Sequence, residues 1–597
     1  MKKLLLLSAF LLAGLFGNAQ AVQDWSLATT AFNSNGLLCH SIATDSQGNV
    51  YQTGKTANSA SSMYISKRNA AGLLLWNKQM AGIGFLSFYI SSETYTIAID
   101  ASDNVYISGN VTNGSGGSID VDFDPGVGVV SYTIPASTKV TFISKLTNDG
   151  NLIWAKQFKN SVTIYQNNDD VVSMKVDASG NVYATGGFGG TVDFDPDAGV
   201  YNLTSAGLVN SNPKQNIFVL KLNNLGALVW AKAFLNQKPL EDTYYPDQGT
   251  SIDVDNAGNV YTTGYFSGGI DADPGVGTHL LVKYNSTYIS DTNTLFISKL
   301  DSNGNYVWAN TIAGNHAQAS INIPTINVDT TGNLILQFSS QINASTVIDY
   351  DFGPGTQYLS VGNSSNDSCP VVLKIDANAN FIWVKLLAIT QSYATNAYCS
   401  QTLLDATGNI YSIGSFSCGY INNSTIGPMD FNPGTAVFNM TSNGVSDIFL
   451  TKLDNNGNFV WANQIGGSGY EYARSFAVSP LGKITILGES GGGFNKSAAS
   501  TAAGTFMASY SQPALATSQF ELDKNIAVYP NPTTGEFNIS VNEDLIGSKI
   551  TVYNIVGQKI KDFTLDVLIT NQNLDKGMYL LEIEKDNNKT TRKLIVN

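Results

Sequence analysis

The chain has 597 residues and a mass of 63.7 kDa, with 43% hydrophobic and 13% charged residues. That length suits one large repeat domain plus a small one, and the composition excludes a disordered chain. A formal charge of −14 repels phosphate backbones and sets nucleic acid aside as a partner, while three histidines, three arginines and four cysteines exclude a disulfide framework and leave little for His-based catalysis.

Residues 1–21 read as a secretory signal peptide. Lys2 and Lys3 precede an apolar run at 4–16 that is too short to span a bilayer. Ala19 and Ala21 then occupy the −3 and −1 positions of a cleavage site, with cleavage after Ala19 as the alternative. No later run has the apolar length of a membrane helix, so no transmembrane segment is expected.

From 22 to 512 the sequence repeats. One phrase recurs as DSQGNVYQTG at 45, DASDNVYISG at 100, DASGNVYATG at 177, DNAGNVYTTG at 255, DTTGNLILQF at 329, DATGNIYSIG at 405 and SPLGKITILG at 479. A second follows it, as in TFISKLTNDGNLIWAKQF at 141 and IFLTKLDNNGNFVWANQI at 448. All seven tryptophans belong to this pattern, at 25, 76, 154, 230, 308, 383 and 461, and a lysine stands nine residues before each of the last six. Each repeat holds four strand-like runs, and its Asp-x-x-Gly-Asn turn suits a tight hairpin because Asp bonds its own backbone and Gly accepts positive φ. Four antiparallel strands about every 75–78 residues describe propeller blades. Trp25 lies on a strand with no predecessors, and the last repeat lacks its Trp strand. The expected fold is therefore all-β: a seven-bladed β-propeller closed by an N-terminal strand, followed by a small C-terminal β-sandwich. The repeated phrases resemble the bacterial β-propeller repeats of the SBBP type, a resemblance that implies a fold and fixes no chemistry.

Five second-to-third strand connections carry acidic phrases: DVDFDPG at 120, VDFDPDAG at 192, DADPG at 271, DYDFGPG at 349 and MDFNPG at 429. Asp120, Asp122 and Asp124, and Asp193, Asp195 and Asp197, are candidate ligands for a hard cation such as calcium. The alternative is a capped turn whose aspartates bond backbone amides. The connections between blades gather tyrosines, among them Tyr165, Tyr244, Tyr245, Tyr393 and Tyr398. Tyr89, Tyr95, Tyr470 and Tyr472 are the candidate ligand-binding set, because blades one and seven are neighbours and have plain connections. Aromatic rings at a pore mouth stack on sugars or anchor a protein partner, and the alternative is packing between blades. No catalytic residue stands out. His40, His279 and His316 have no metal-ligand spacing, and Cys39 and Cys399 occupy packing positions, while Cys369 and Cys418 pair only if geometry allows.

Residues 513–523 read as a linker. The tail, 524–597, balances nine basic against nine acidic residues, which leaves −16 in 22–523. VYPNPTTGEFNI at 528, ITVYNIVGQKI at 550 and GMYLLEIEKDNNKTTRKLIVN at 577 alternate at period two, as a small sandwich would. In order, these motifs resemble the C-terminal sorting domain (type A) of the type IX secretion system. The resemblance implies that 524–597 engages the outer-membrane secretion machinery, and that the protein travels through the periplasm to be secreted or held at the cell surface. The expected function is a binding or adhesion module for a glycan or protein ligand. A polysaccharide-degrading glycosidase or lyase using propeller carboxylates is the alternative, and a matrix protein with no discrete ligand is a third reading.

Overall fold

The computed structural model describes residues 21–28, 37–56, 63–80, 96–113, 117–160, 170–209, 212–237, 246–282, 294–314, 324–342, 348–353, 355–359, 367–389, 396–418, 420–421, 424–425, 427–490, 504–512, 526–542, 545–554, 557–585 and 588–597. The chain is all-β and divides into two compact units, 1–511 and 512–597. Among the described residues no helix is long and apolar enough to cross a membrane.

In the first unit, the stretches 37–79, 96–160, 170–236, 248–311, 325–386 and 396–465 each carry a four-stranded antiparallel meander, and 471–511 joins Val22–Ala28 in another. The hairpin between the third and fourth strands has one register throughout. Lys67 opposes Trp76, Lys145 opposes Trp154, Lys221 opposes Trp230, and the later repeats follow. The nine-residue spacing in the sequence is thus a cross-strand pair.

The turn between the first and second strands explains the recurring aspartate. Asp45 Oδ1 accepts the amides of Gln47 (3.0 Å) and Asn49 (2.8 Å), and Oδ2 accepts Asn49 Nδ2 (2.8 Å) and the Tyr51 hydroxyl (3.2 Å). Gly48 stands at φ 75°, where a side chain is unfavourable. Lys67 Nζ completes the set, 3.3 Å from Asp45 Oδ2 and 4.9 Å from the centroid of the Tyr51 ring. Asp100, Asp177, Asp255, Asp329 and Asp405 repeat the turn.

Successive meanders are latched at these groups. Tyr51 Oη, Lys67 Nζ and Trp76 Nε1 all donate to Asn148 O of the next meander at 3.3 Å. Trp154 donates to Asn224 O, Trp230 to Ser302 O and Trp308 to Ala377 O, each at 3.1 Å. The indoles of Trp76, Trp154, Trp230 and Trp383 lie against a turn glycine of the next meander: a Cβ on Gly226 would stand 3.1 Å from the Trp154 ring. Trp25 acts the same way toward Ala70 O, at 3.1 Å, while its strand Val22–Ala28 pairs antiparallel with Gly504–Ser511. The innermost strands of the first and last meanders also meet, Ile42 N donating to Ser475 Oγ at 3.4 Å. The architecture is propeller-like, with the apolar core between successive meanders.

The second unit packs a three-stranded sheet (Ile526–Tyr529, Glu536–Val541 and Ile569–Asn573) against a four-stranded one (Lys549–Asn554, Lys559–Thr564, Gly577–Lys585 and Asn588–Val596). Phe537, Ile539, Ile550, Val552, Leu581, Ile583 and Leu594 fill the space between them.

Candidate functional site

The first strands of the seven meanders line a central channel with a volume of about 840 Å³. In five of them the second strand skips one residue, between Cys39 and Ser41, Val171 and Ser173, Gly249 and Ser251, Cys399 and Gln401, and Ala473 and Ser475. A bulge re-aims the skipped side chain, and His40, Val172, Thr250, Ser400 and Arg474 all line the channel. Its wall is otherwise mostly Ser, Thr and aliphatic residues. The charged side chains there pair off: Lys175 with Asp253 at 3.0 Å and Arg474 with Glu489 at 2.9 Å.

Two residues before the bulge, the first strands of the last two meanders carry Tyr398 and Tyr472. Tyr472 lies beside Tyr470, with ring centroids 5.6 Å apart and planes tilted by 43°. Tyr398, Tyr470 and Tyr472 are 37%, 44% and 45% exposed, so aromatic faces stand open to solvent. Burial, and then the neighbouring Tyr472, push the Tyr398 hydroxyl up from its ordinary range. Tyr472 is the register partner of Glu489, which places the Arg474–Glu489 pair next to the rings. Such a surface stacks on a sugar face and offers hydrogen-bond donors and acceptors at its edge. Of the expected aromatic set, Tyr470 and Tyr472 are brought together, whereas Tyr89 and Tyr95 lie outside the described residues, as do Tyr165, Tyr244, Tyr245 and Tyr393. Arg474 was not expected here; the Arg–Glu pair is marked in the sequence only by its place beside a bulge.

The acidic connections share one geometry. Asp122 Oδ1 accepts the amides of Asp124 (3.0 Å) and Val130 (2.9 Å), and Asp124 Oδ1 accepts that of Gly126 (2.7 Å). Asp193 does the same for Asp195 (3.1 Å) and Tyr201 (2.8 Å), and Asp195 for Asp197 (2.9 Å). Asp271, Asp349 and Asp430 repeat the pattern. Asp120 accepts the Thr133 hydroxyl at 2.5 Å and Asp197 pairs with Lys156 at 2.5 Å. The residue between the first two acids, Phe123, Phe194, Ala272, Tyr350 or Phe431, is buried in the core. Four of the loops also pair with the fourth strand of the preceding meander or with the segment just after it, as Asp193 does with Lys159, Asp271 with Leu235, Asp349 with Ala313 and Asp430 with Ile389. Sequence reasoning missed this clamp, because strand pairing between repeats leaves no local signature. Among the described residues no three His, Cys, Asp or Glu side chains converge on a metal-sized site.

The other singled-out residues are structural in their contacts. His279 Nε2 lies 3.0 Å from Ala309 O and its ring packs on Tyr306. His316 and the Cys39 side chain lie outside the described residues. Cys399 and Cys418 are free thiols, and burial pushes Cys399 up to about 12.

Compared with known proteins, residues 527–597 match the secretion system C-terminal sorting domain. The chain is 24% identical over 467 residues to an uncharacterized WD repeat-containing protein of Acanthamoeba polyphaga mimivirus, covering 72% of this chain and 31% of that one. It is 35% identical over 78 residues to an ulvan lyase of Nonlabens ulvanivorans, covering 12% of this chain and 14% of the other. The chain thus spans about a third and a seventh of the lengths of these relatives. A solved polysaccharide lyase of family PL25, an ulvan lyase bound to a glucuronate–rhamnose sulfate disaccharide unit, aligns over 79% of this chain and 94% of its own with 10% identity and a TM-score of 0.41. The sorting domain at its end marks this chain as an export substrate of the type IX secretion system, delivered to the cell surface or secreted.

Proposed function

We propose that residues 22–512 form a seven-bladed propeller, closed on itself by Val22–Ala28, that acts as a binding or adhesion module outside the cell. In this reading a signal peptide at 1–21 starts export, 513–523 is a linker and 524–597 is the sorting domain that meets the secretion machinery. The ligand is a glycan or protein that enters at the channel mouth. The observation that carries the proposal is the exposed pair of tyrosine rings, Tyr470 and Tyr472, beside Arg474–Glu489 and Tyr398. Exposed aromatic rings clustered at a concave mouth are characteristic of recognition surfaces. The acidity of 22–523 favours a neutral or cationic polymer over an anionic one.

Hydrolysis of a polysaccharide calls for two carboxyl groups about 5–10 Å apart across the substrate. The acids lining the described channel, Asp253 and Glu489, are each committed to a cation, and Asp253 also accepts the amides of Val254 and Val328 at 2.8 and 2.9 Å. This favours binding over cleavage. The test is a glycan array probed with the full exported chain, followed by incubation with each hit and analysis for shortened or unsaturated products. Retention without product supports the proposal. Product release that stops on Glu489→Gln would replace it with the enzyme reading.

A further inference from the structure

Two carboxylates are buried where the 396–465 and 471–511 meanders meet: Asp447 and Glu471 are both 0% exposed. Asp447 begins the strand Asp447–Leu453, and Glu471 begins Glu471–Val478. A parallel bridge between Ser446 and Tyr470 lays these two starts side by side, with Glu471 N donating to Ser446 O at 2.9 Å. Both carboxylates then close on the same dipeptide, Gly466-Gly467. Gly467 N donates to Glu471 Oε2 at 2.9 Å, and a Cβ on Gly466 would stand 2.3 Å from Asp447 Oδ1.

The remaining polar contacts leave the charge uncompensated. Ser490 Oγ donates to Glu471 Oε1 at 3.0 Å, and Asp447 Oδ2 accepts Asn443 N at 3.0 Å and Gln464 Nε2. Asp447 Oδ1 is buried and, among the described residues, receives no donor. Among the described residues no Lys, Arg or His contacts either carboxylate. Burial, followed by the facing charge of Asp447, pushes Glu471 above the usual carboxylate range. Two neighbouring buried anions without a cation are an unfavourable arrangement.

The same place in another junction shows what compensates there. Counting back from the cross-strand lysines, Lys221 and Lys452, Asn216 corresponds to Asp447 and Lys214 to Val445. Counting from the bulges after Gly249 and Ala473, Asp247 corresponds to Glu471. At that junction Lys214 is buried with its Nζ 3.5 Å from Asp247 Oδ1 and donates to Ser267 O and Oγ at 3.0 Å. One junction therefore holds one carboxylate and one ammonium, and the other holds two carboxylates, with Val445, the counterpart of Lys214 in sequence, 65% exposed.

We infer that the Asp447–Glu471 junction binds a calcium ion in the role that Lys214 fills three meanders earlier. The oxygens there are those of two carboxylates and the Ser490 hydroxyl, the chemistry that a hard divalent cation selects, and sites of low ligand count suit the calcium concentrations outside cells. These residues are distinct from the acidic phrases at 120–124 and 193–197. The ion would tie the last two meanders together directly beneath Tyr470 and Tyr472, which flank Glu471 in sequence. The site itself is independent of the binding reading above.

The test uses the full chain stripped with EDTA and titrated with calcium chloride, read by calorimetric binding and by melting temperature. One calcium per chain should bind and raise the melting temperature. Asp447→Asn should weaken binding at least tenfold, while Asp122→Asn/Asp124→Asn should leave it unchanged. Val445→Lys/Asp447→Asn, which copies Lys214 and Asn216, should melt at the same temperature with and without calcium. Should the double variant fail to fold, Asp447→Asn alone decides. The inference is overturned if the stripped protein binds no calcium, if binding survives Asp447→Asn, or if acidification alone raises the melting temperature with no calcium response, which would assign the pair a shared proton.

Discussion

Replacing Trp25 with alanine probes the contact between the two ends of the first unit. The indole donates to Ala70 O at 3.1 Å, lies on Gly72 and covers the buried cluster of Ile42, Val50, Tyr64, Ala477, Leu487 and Met507. Truncating a fully buried Trp costs about 3–5 kcal/mol, and the lost hydrogen bond about 1 kcal/mol. Trp25 is half-buried, so the lower end, about 3 kcal/mol, applies to the side chain. Its strand has no covalent neighbour in the meander it completes; it is held by pairing with Gly504–Ser511, by Asp24–Ser511 (2.8 Å) and by Asp24–Lys483 (3.2 Å). Trp25→Ala should therefore lower the urea midpoint and also speed hydrogen exchange at the amides of 504–511. Trp76→Ala, in a meander continuous in sequence, should lower the midpoint without that local exchange. Deleting 22–31 should exceed both and expose the edge of Gly504–Ser511 to self-association. An unchanged midpoint in Trp25→Ala, or unchanged exchange at 504–511, would refute the closing role of this strand.

Ala379 stands at φ 66° where Gly72, Gly150, Gly226, Gly304 and Gly457 stand at 74–82°, so Ala379→Gly should stabilise by about 0.5–1 kcal/mol in urea unfolding. Asp329 is opposed in its ionisation by burial, but hydrogen bonds from Thr331, Asn333 and Lys374 outweigh this and hold it down at about 2. A carboxyl lowered in the fold stabilises above its unfolded value near 3.8 and loses that as pH falls, so about 2 kcal/mol should vanish between about pH 4 and 2, and Asp329→Asn should flatten that part of an acid titration followed by circular dichroism. Truncation before Asn525 should leave the first unit folded but in the periplasm; surface labelling that still finds the truncated protein outside the cell would contradict this.

Much of the fold is legible in the sequence because each meander is written in one repeated local code. The Asp-x-x-Gly-Asn turn, the second-strand tyrosine and the Lys–Trp pair form a closed set of contacts, complete in four copies, with Asp103 replacing the glycine in the second, Ile335 replacing the tyrosine in the fifth, and the set lost from the last. The lysine was visible as a spacing, but its bond to the aspartate and to the next meander was not, because period-two patterning says which face a residue occupies and nothing about the partner across a junction. The acidic phrases are ambiguous for the same reason: Asp122 and Asp193 in a turn have the same spelling as Asp in a cation loop, and the amides of Val130 and Tyr201 that they accept, eight residues on, leave no mark in the sequence. Of the tyrosine set singled out because blades one and seven have plain second-to-third strand connections, Tyr470 and Tyr472 lie side by side, and Tyr89 and Tyr95 lie outside the described residues. Arg474 and the buried Asp447 and Glu471 went unnoticed, since a buried acid and a solvated one read alike until a neighbouring junction supplies the comparison with Lys214.

In the proposed function the ligand binds at the aromatic cluster of Tyr470 and Tyr472. The direct measurement is the affinity of the full chain for its best array hit, compared between wild type, Tyr470→Ala/Tyr472→Ala and Asp120→Asn/Asp122→Asn/Asp124→Asn. Loss of two clustered anchor residues costs about 2 kcal/mol or more, so the tyrosine variant should bind about 30-fold or more weakly with an unchanged melting temperature, and the aspartate variant should bind as wild type. Retained affinity in the tyrosine variant together with loss in the aspartate variant would place the site on the acidic rim and contradict the account.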